Sequence, residues 1–143
     1  MPLINAKAAE IADPVGLTLY PLAELPETLS GAAGVVLPPN ADPAAILPRL
    51  GALAVVAVEF PKFRDGRGFS IARALREHYG FAGDLRATGH FLPEQFLFLI
   101  SCGFTSFETP PEHDAAQFAA ALAKPHQPGQ LLRRSLGRAR ETA

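Results

Sequence analysis

Ala52-Leu53-Ala54-Val55-Val56-Ala57-Val58 is an unbroken apolar run of seven residues. It does not alternate polar and apolar side chains, so a strand here buries both faces, as strands of a parallel sheet do. What flanks it fits that reading. Upstream, Val35-Val36-Leu37 is a shorter apolar strand closed by Pro38-Pro39-Asn40. Asp42 is a good N-cap and Pro43 a good first helical residue, which predicts a helix to about Leu50, strained by Pro48 and stopped by Gly51. Downstream, Ser70 can cap a helix running through Tyr79, with Ile71 and Leu75 on its apolar face and Arg73, Arg76 and Glu77 on the other. Gly80 stands where a left-handed residue ends a helix, and Phe81 can fold back onto Leu75.

The pattern then repeats with different words. Leu85 to Thr88 is a short strand closed by Gly89, and Pro93 opens a helix whose Phe96-Leu97-Phe98-Leu99-Ile100 core is apolar all round. That surface predicts burial on several sides or a subunit contact through residues 93–102. Thr105 to Glu108 is the next strand, Pro110-Pro111 breaks it, and Glu112 to Ala123 is a last amphipathic helix. Leu17 to Tyr20 adds a fifth strand, and the first thirty residues pack as an edge or cover. Strands alternating with helices through short loops give an α/β fold. Successive βα units form a small, mostly parallel sheet, open or half-barrel-like, flanked by helices. Residues 1–130 make a single domain. Residues 131–143, with Arg133, Arg134, Arg138 and Arg140 and little to bury, read as a basic, mobile tail.

Composition excludes several classes. With 48% hydrophobic and 19% charged residues and a formal net charge of −1, the chain is of globular type and lacks the basic surplus that nucleic acid or an anionic membrane would need. No apolar run approaches the ~20 residues of a membrane span. The single cysteine, Cys102, forbids an internal disulfide or a multi-cysteine cluster, and no cofactor fingerprint or metal-ligand spacing is present. With no signal-peptide pattern at the N-terminus, a cytoplasmic location is expected.

Ligands of parallel α/β sheets bind at the carboxyl ends of the strands. The longest and most charged loop on that edge is Phe60-Pro61-Lys62-Phe63-Arg64-Asp65-Gly66-Arg67-Gly68-Phe69-Ser70. Lys62, Arg64 and Arg67 offer cations, the amides of Gly66 to Ser70 offer donors before a helix, and Asp65 and Arg86 complete the candidate ligand set. The same residues also make an ordinary turn, with Asp65-Gly66 as the turn pair, Ser70 as a cap and Asp65 paired with Arg73 or Arg86. Lys62, Asp65 and His90 are the candidates for acid–base work, His90 because it follows a strand on the same edge. Cys102, near the negative end of a helix, reads as a buried structural thiol.

The Phe60–Ser70 string, with Ala72-Arg73, Leu75-Arg76, Gly83-Asp84-Leu85-Arg86-Ala87, Gly89, Cys102-Gly103-Phe104 and Phe107, resembles a bacterial domain-of-unknown-function family. That family carries the label of an oxidoreductase involved in sulfite reduction. The resemblance runs from about Leu53 to Glu108. It implies a place beside the sulfite/nitrite reductase haemoprotein, whose gene commonly neighbours those of the family, with sirohaem and an iron–sulfur cluster belonging to that reductase. Three functions follow as expectations: an accessory protein binding sulfite, sulfate or phosphate at the 60–70 loop; a small oxidoreductase or other enzyme of the pathway; or an adaptor docking on the reductase.

Overall fold

Five strands lie side by side in the order in which the chain makes them. The computed structural model describes residues 3–62 and 66–123. Within them, β1 (Leu3–Asn5), β2 (Thr18–Pro21), β3 (Ala33–Leu37), β4 (Val55–Phe60), β5 (Asp84–Gly89) and β6 (Ser106–Glu108) form one sheet of order β1-β6-β5-β4-β3-β2. β2 to β6 are parallel throughout, and β1 alone runs antiparallel, against β6. The mostly parallel α/β sheet expected from the sequence is therefore present, with one strand, β1, beyond those expected. Among the described residues no helix is long and apolar enough to cross a membrane.

The crossovers are short and partly irregular. Pro43–Ala52 between β3 and β4 is a 3-10 helix, with Asp42 accepting the amide of Ala44 at 3.0 Å as the expected cap. Pro48, which lacks an N–H, sits inside it. After β4 comes α1 (Arg67–Arg73), which widens into a π turn over Ala74–His78, the Tyr79 amide reaching back to the Ala74 carbonyl. Gly80 has a φ of +65°, and the Phe81 amide returns to the Leu75 carbonyl at 2.8 Å, closing the helix as foreseen. A 3-10 turn, Pro93–Gln95, leads into α2 (Phe96–Ser101), and α3 (Ala115–Ala123) follows β6.

One face of the sheet carries the main hydrophobic core. Register puts Val35, Leu37, Val56, Val58, Leu85, Ala87, Phe107 and Ile4 on the same side, and these are the strand residues that pack with Ile46, Leu50, Ile71, Leu75, Phe96, Leu99 and Phe118 of the crossovers and α3. A chain of tilted and edge-on phenylalanines ties the layers together: Phe60 to Phe104 and Phe91, Phe91 to Phe107, Phe107 to Phe96, and Phe96 to Phe118 at 5.3 Å. α2 is apolar all round because it has three neighbours. Phe96 meets the sheet and α3, while Phe98 meets Phe69 of α1 at 4.9 Å and lies under Arg73.

The opposite face has no helix in the described residues. β1 and β2 lie at opposite edges, so the chain between them crosses this face, and Asp13 on that crossing segment reaches Arg86 of β5 at 2.8 Å. Val55 and Ala57 are fully buried here, yet neither belongs to the main core. The expectation that β4 is buried on both faces holds, through a strap and small side chains rather than a second helical layer.

Candidate functional site

β4 delivers Phe60, and the chain leaves the sheet with Pro61 and Lys62 exposed. Arg64 and Asp65 lie outside the described residues. The chain is described again from Gly66, the N-cap residue of α1, so Ser70 falls inside the first helical turn and does not cap it. The helix starts earlier than the serine suggested because Gly68 lets it approach the sheet. A Cβ there would stand 2.6 Å and 2.7 Å from Cε1 and Cζ of Phe60, and Gly68 is buried. Gly68 therefore has a packing role, whatever its amide does. The amide of Phe69 already donates to the Gly66 carbonyl at 3.2 Å. Arg67 opens the helix as an exposed residue that has its own interaction.

His90 comes to the same rim from β5. The Gly89 φ of +106° turns the chain against the Phe60 carbonyl, which accepts the His90 amide at 2.6 Å. Loops after β4 and β5 are thus fastened together, with Lys62 on one and His90 on the other. His90 Nδ1 lies 3.4 Å from the Glu112 carboxylate, which comes from the loop after β6. Both side chains are more than half exposed, so the pair is worth little to stability. It does orient the imidazole, leaving Nε2 as the nitrogen able to meet a ligand. Glu112 was read in the sequence only as a helix start; its place in the loop after the last parallel strand was the available signal.

Arg86 does not join them. In register with Ala57, it sits three residues before the carboxyl end of β5 and on the helix-free face. It is 4% exposed, and its guanidinium is held by the Ser106 hydroxyl at 3.1 Å, the Asp84 carboxylate at 3.3 Å and Asp13 at 2.8 Å. Thr105 and Ser106 donate their hydroxyls to the two oxygens of Asp84, at 2.6 Å and 2.7 Å. Its charge is matched from within.

Arg76 is the residue that sequence reasoning misplaced. Assigned to the polar face of its helix, it instead reaches under the π turn. It donates to the carbonyls of Phe81 at 2.7 Å, Gly83 at 2.9 Å and Gly103 at 2.9 Å, with its guanidinium over the Phe81 ring. Burial lowers its pKa from the usual arginine value, against a smaller opposing pull from Asp84. Gly103, at φ +110°, gives it passage: a Cβ there would collide with Arg76 Cγ. These bonds pin the loops at the amino ends of β5 and β6, far from the rim. Cys102 is buried, as expected. Burial raises its thiol pKa, partly offset by a hydrogen bond with Arg73.

A hollow of about 400 Å³ opens at the amino ends of β4 and β5, lined by Leu47, Leu50, Leu53, Tyr79 and Phe81 among others. Its lining holds no carboxylate, imidazole or cation, so the chemistry-bearing residues stay at the carboxyl rim. Among the described residues no cluster of three or more His, Cys, Asp and Glu could hold a metal ion.

A family model described as bacterial protein of unknown function (DUF934) matches residues 34–132, and the chain belongs to that family. The match spans the parallel sheet from β3 onward, together with the rim and α3. No curated protein and no solved structure matches the chain.

Proposed function

We propose that this protein is an accessory, anion-binding component of sulfite reduction, and that its ligand site is the rim formed by the loops after β4 and β5. The observation that carries the reading is the 2.6 Å bond from the His90 amide to the Phe60 carbonyl. It fastens two carboxyl-edge loops, with Lys62 on one and His90 on the other, and Arg67 opens α1 after the first of them. A small oxyanion, pyramidal sulfite or tetrahedral sulfate or phosphate, suits a rim of cations at a helix start. The pathway comes from the sequence resemblance, and the sulfite reductase haemoprotein is the partner it implies. Titration with sulfite, sulfate and phosphate, read by calorimetry and by thermal stabilisation, tests the site. Lys62→Ala and Arg67→Ala should each weaken binding severalfold. Unchanged stabilisation in both variants would refute the rim as the site, and failure to co-purify with the reductase would refute the partnership.

The His90–Glu112 pair favours a second reading, an enzyme of the same pathway. A carboxylate that orients an imidazole is a common acid–base arrangement, with Glu112 holding the ring and Nε2 exchanging the proton. His90→Gln would then abolish turnover while leaving anion affinity within a few-fold.

A further inference from the structure

We infer that the helix-free face of the sheet is a docking surface for a cationic segment of another protein, one carrying apolar side chains between its basic residues. Parallel sheets are covered on both faces. Here one face holds every helix of the described residues, and among those residues the other is crossed by the segment from Ala12 to Leu17. That segment is exposed along Ala12 to Gly16 and is tied to the sheet by the ion pair between Asp13 and the buried Arg86.

What this face presents outward has a definite chemistry. Of the five large hydrophobic side chains that stand exposed in the described residues, three belong to it: Ile11 at 38%, Val15 at 98% and Leu19 at 39%. Ile11 pairs with Leu3 at the β1 edge, Val15 rides the strap, and Leu19 lies over Gly34 on β2 and β3. They form an interrupted apolar line across the sheet. The same face carries the carboxylates of Glu59 and Glu108 at the carboxyl ends of β4 and β6 and that of Asp13 on the strap, with Asp84 at the amino end of β5. Register places Glu59 and Glu108 on this face, as it does Ala57 and Ser106. Arg86 is the single cation among the strand positions and strap residues of the face, and Asp13 and Asp84 already neutralise it. A surface that combines apolar side chains with unpaired negative charge repels a copy of itself and attracts a basic, partly apolar segment.

The test uses the full chain, isotopically labelled, and two short synthetic peptides, one alternating leucine with arginine and one alternating leucine with glutamate. The leucine–arginine peptide should shift amide resonances of residues 11–19, 34–36, 57–59 and 106–108, and the leucine–glutamate peptide should not. Glu59→Gln with Glu108→Gln should weaken the interaction by about tenfold, in keeping with the salt-sensitive steering of charged encounters. Val15→Ser, at a side chain without contacts to lose, should weaken it severalfold while leaving the melting temperature unchanged. Shifts confined to the carboxyl rim, or equal shifts with both peptides, would overturn the inference. So would a concentration-dependent dimer broken by Val15→Ser, since a second copy would then be the occupant. Replacement of Arg133, Arg134, Arg138 and Arg140 by glutamine in the intact chain is the last arm. If it moves the same resonances without any peptide, the face is filled in cis and the inference falls.

Discussion

Replacing Gly68 by alanine should destabilise the protein, although alanine is by far the better helix former. Two terms compete. In α1 the substitution gains at most about 1 kcal/mol from helix propensity. Against it stands a methyl group placed 2.6 Å from Cε1 and 2.7 Å from Cζ of Phe60, and 3.1 Å from Val58 Cγ1. The ring has nowhere to retreat: it is 1% exposed and bounded by Phe69 at 5.3 Å, Phe104 at 5.8 Å and Phe91 at 6.4 Å. Overpacking a closed site of this kind costs about 1–3 kcal/mol. With the full propensity gain set against it, the net loss is up to about 2 kcal/mol, or up to roughly 6 °C in melting temperature for a chain of this size. Thermal and urea denaturation followed by circular dichroism measure it. The steric cause has its own signature, because Phe60→Leu makes room for the methyl. The double variant should be more stable than the two single losses summed would allow, by about 0.5 kcal/mol or more. A Gly68→Ala protein that melts at or above the wild-type temperature would refute the packing argument, as would strict additivity with Phe60→Leu. The glycine would then be kept for its amide alone.

Arg76→Lys should lose about 2–4 kcal/mol in urea denaturation, because a single ammonium cannot serve the carbonyls of Phe81, Gly83 and Gly103 together. A loss below about 0.5 kcal/mol would show that water replaces those bonds. The Cys102 thiol, whose pKa burial raises, should react slowly with a disulfide reagent in the native protein and at the free-thiol rate in denaturant. Because the folded pKa lies above the unfolded one, this group stabilises the fold below its ordinary thiol range and loses that contribution as pH rises through the folded value; Cys102→Ala should flatten that alkaline decline. Arg86→Met should destabilise by about 2–4 kcal/mol, since it leaves Asp84 and Asp13 facing each other, whereas Asp13→Asn should change stability by less than about 1 kcal/mol because Asp13 is half exposed. Equal losses for the two variants would show that the strap contact, rather than the buried charge, holds this cluster.

The βα succession was legible because its signals are local. Asp42-Pro43 announces a helix start, Gly80 a helix end, and the run from Ala52 to Val58 a buried strand, and each needs only a few neighbours to act. β1 was not legible. Leu3-Ile4-Asn5 is too short to show a period, and what makes it a strand is Phe107, far along the chain. Arg76 was misplaced for a related reason: a helical wheel reports where a Cα points, whereas a long side chain can bend around a π turn to reach carbonyls beyond its own helix. In the candidate site, Lys62, Arg67 and His90 could be set on one edge from strand order alone. That Arg86 lies on the other face follows from pairing Arg86 with Ala57, a register the sequence does not announce.

The antiparallel strand at the sheet edge also has a bearing on how the chain comes together in time. Each parallel pair closes over a crossover of 11 (22–32) to 23 (61–83) residues, whereas β1 meets β6 only after the 100 residues from 6 to 105. Two further doublings of loop length add roughly 1.2 kcal/mol of closure entropy. During synthesis, the first of these six strands to leave the ribosome is then the last to find its place. Until Phe107 and Glu108 emerge, Leu3 to Asn5 has no edge to join, and until it joins, β6 offers a bare edge to any other strand, including the β1 of a neighbouring chain.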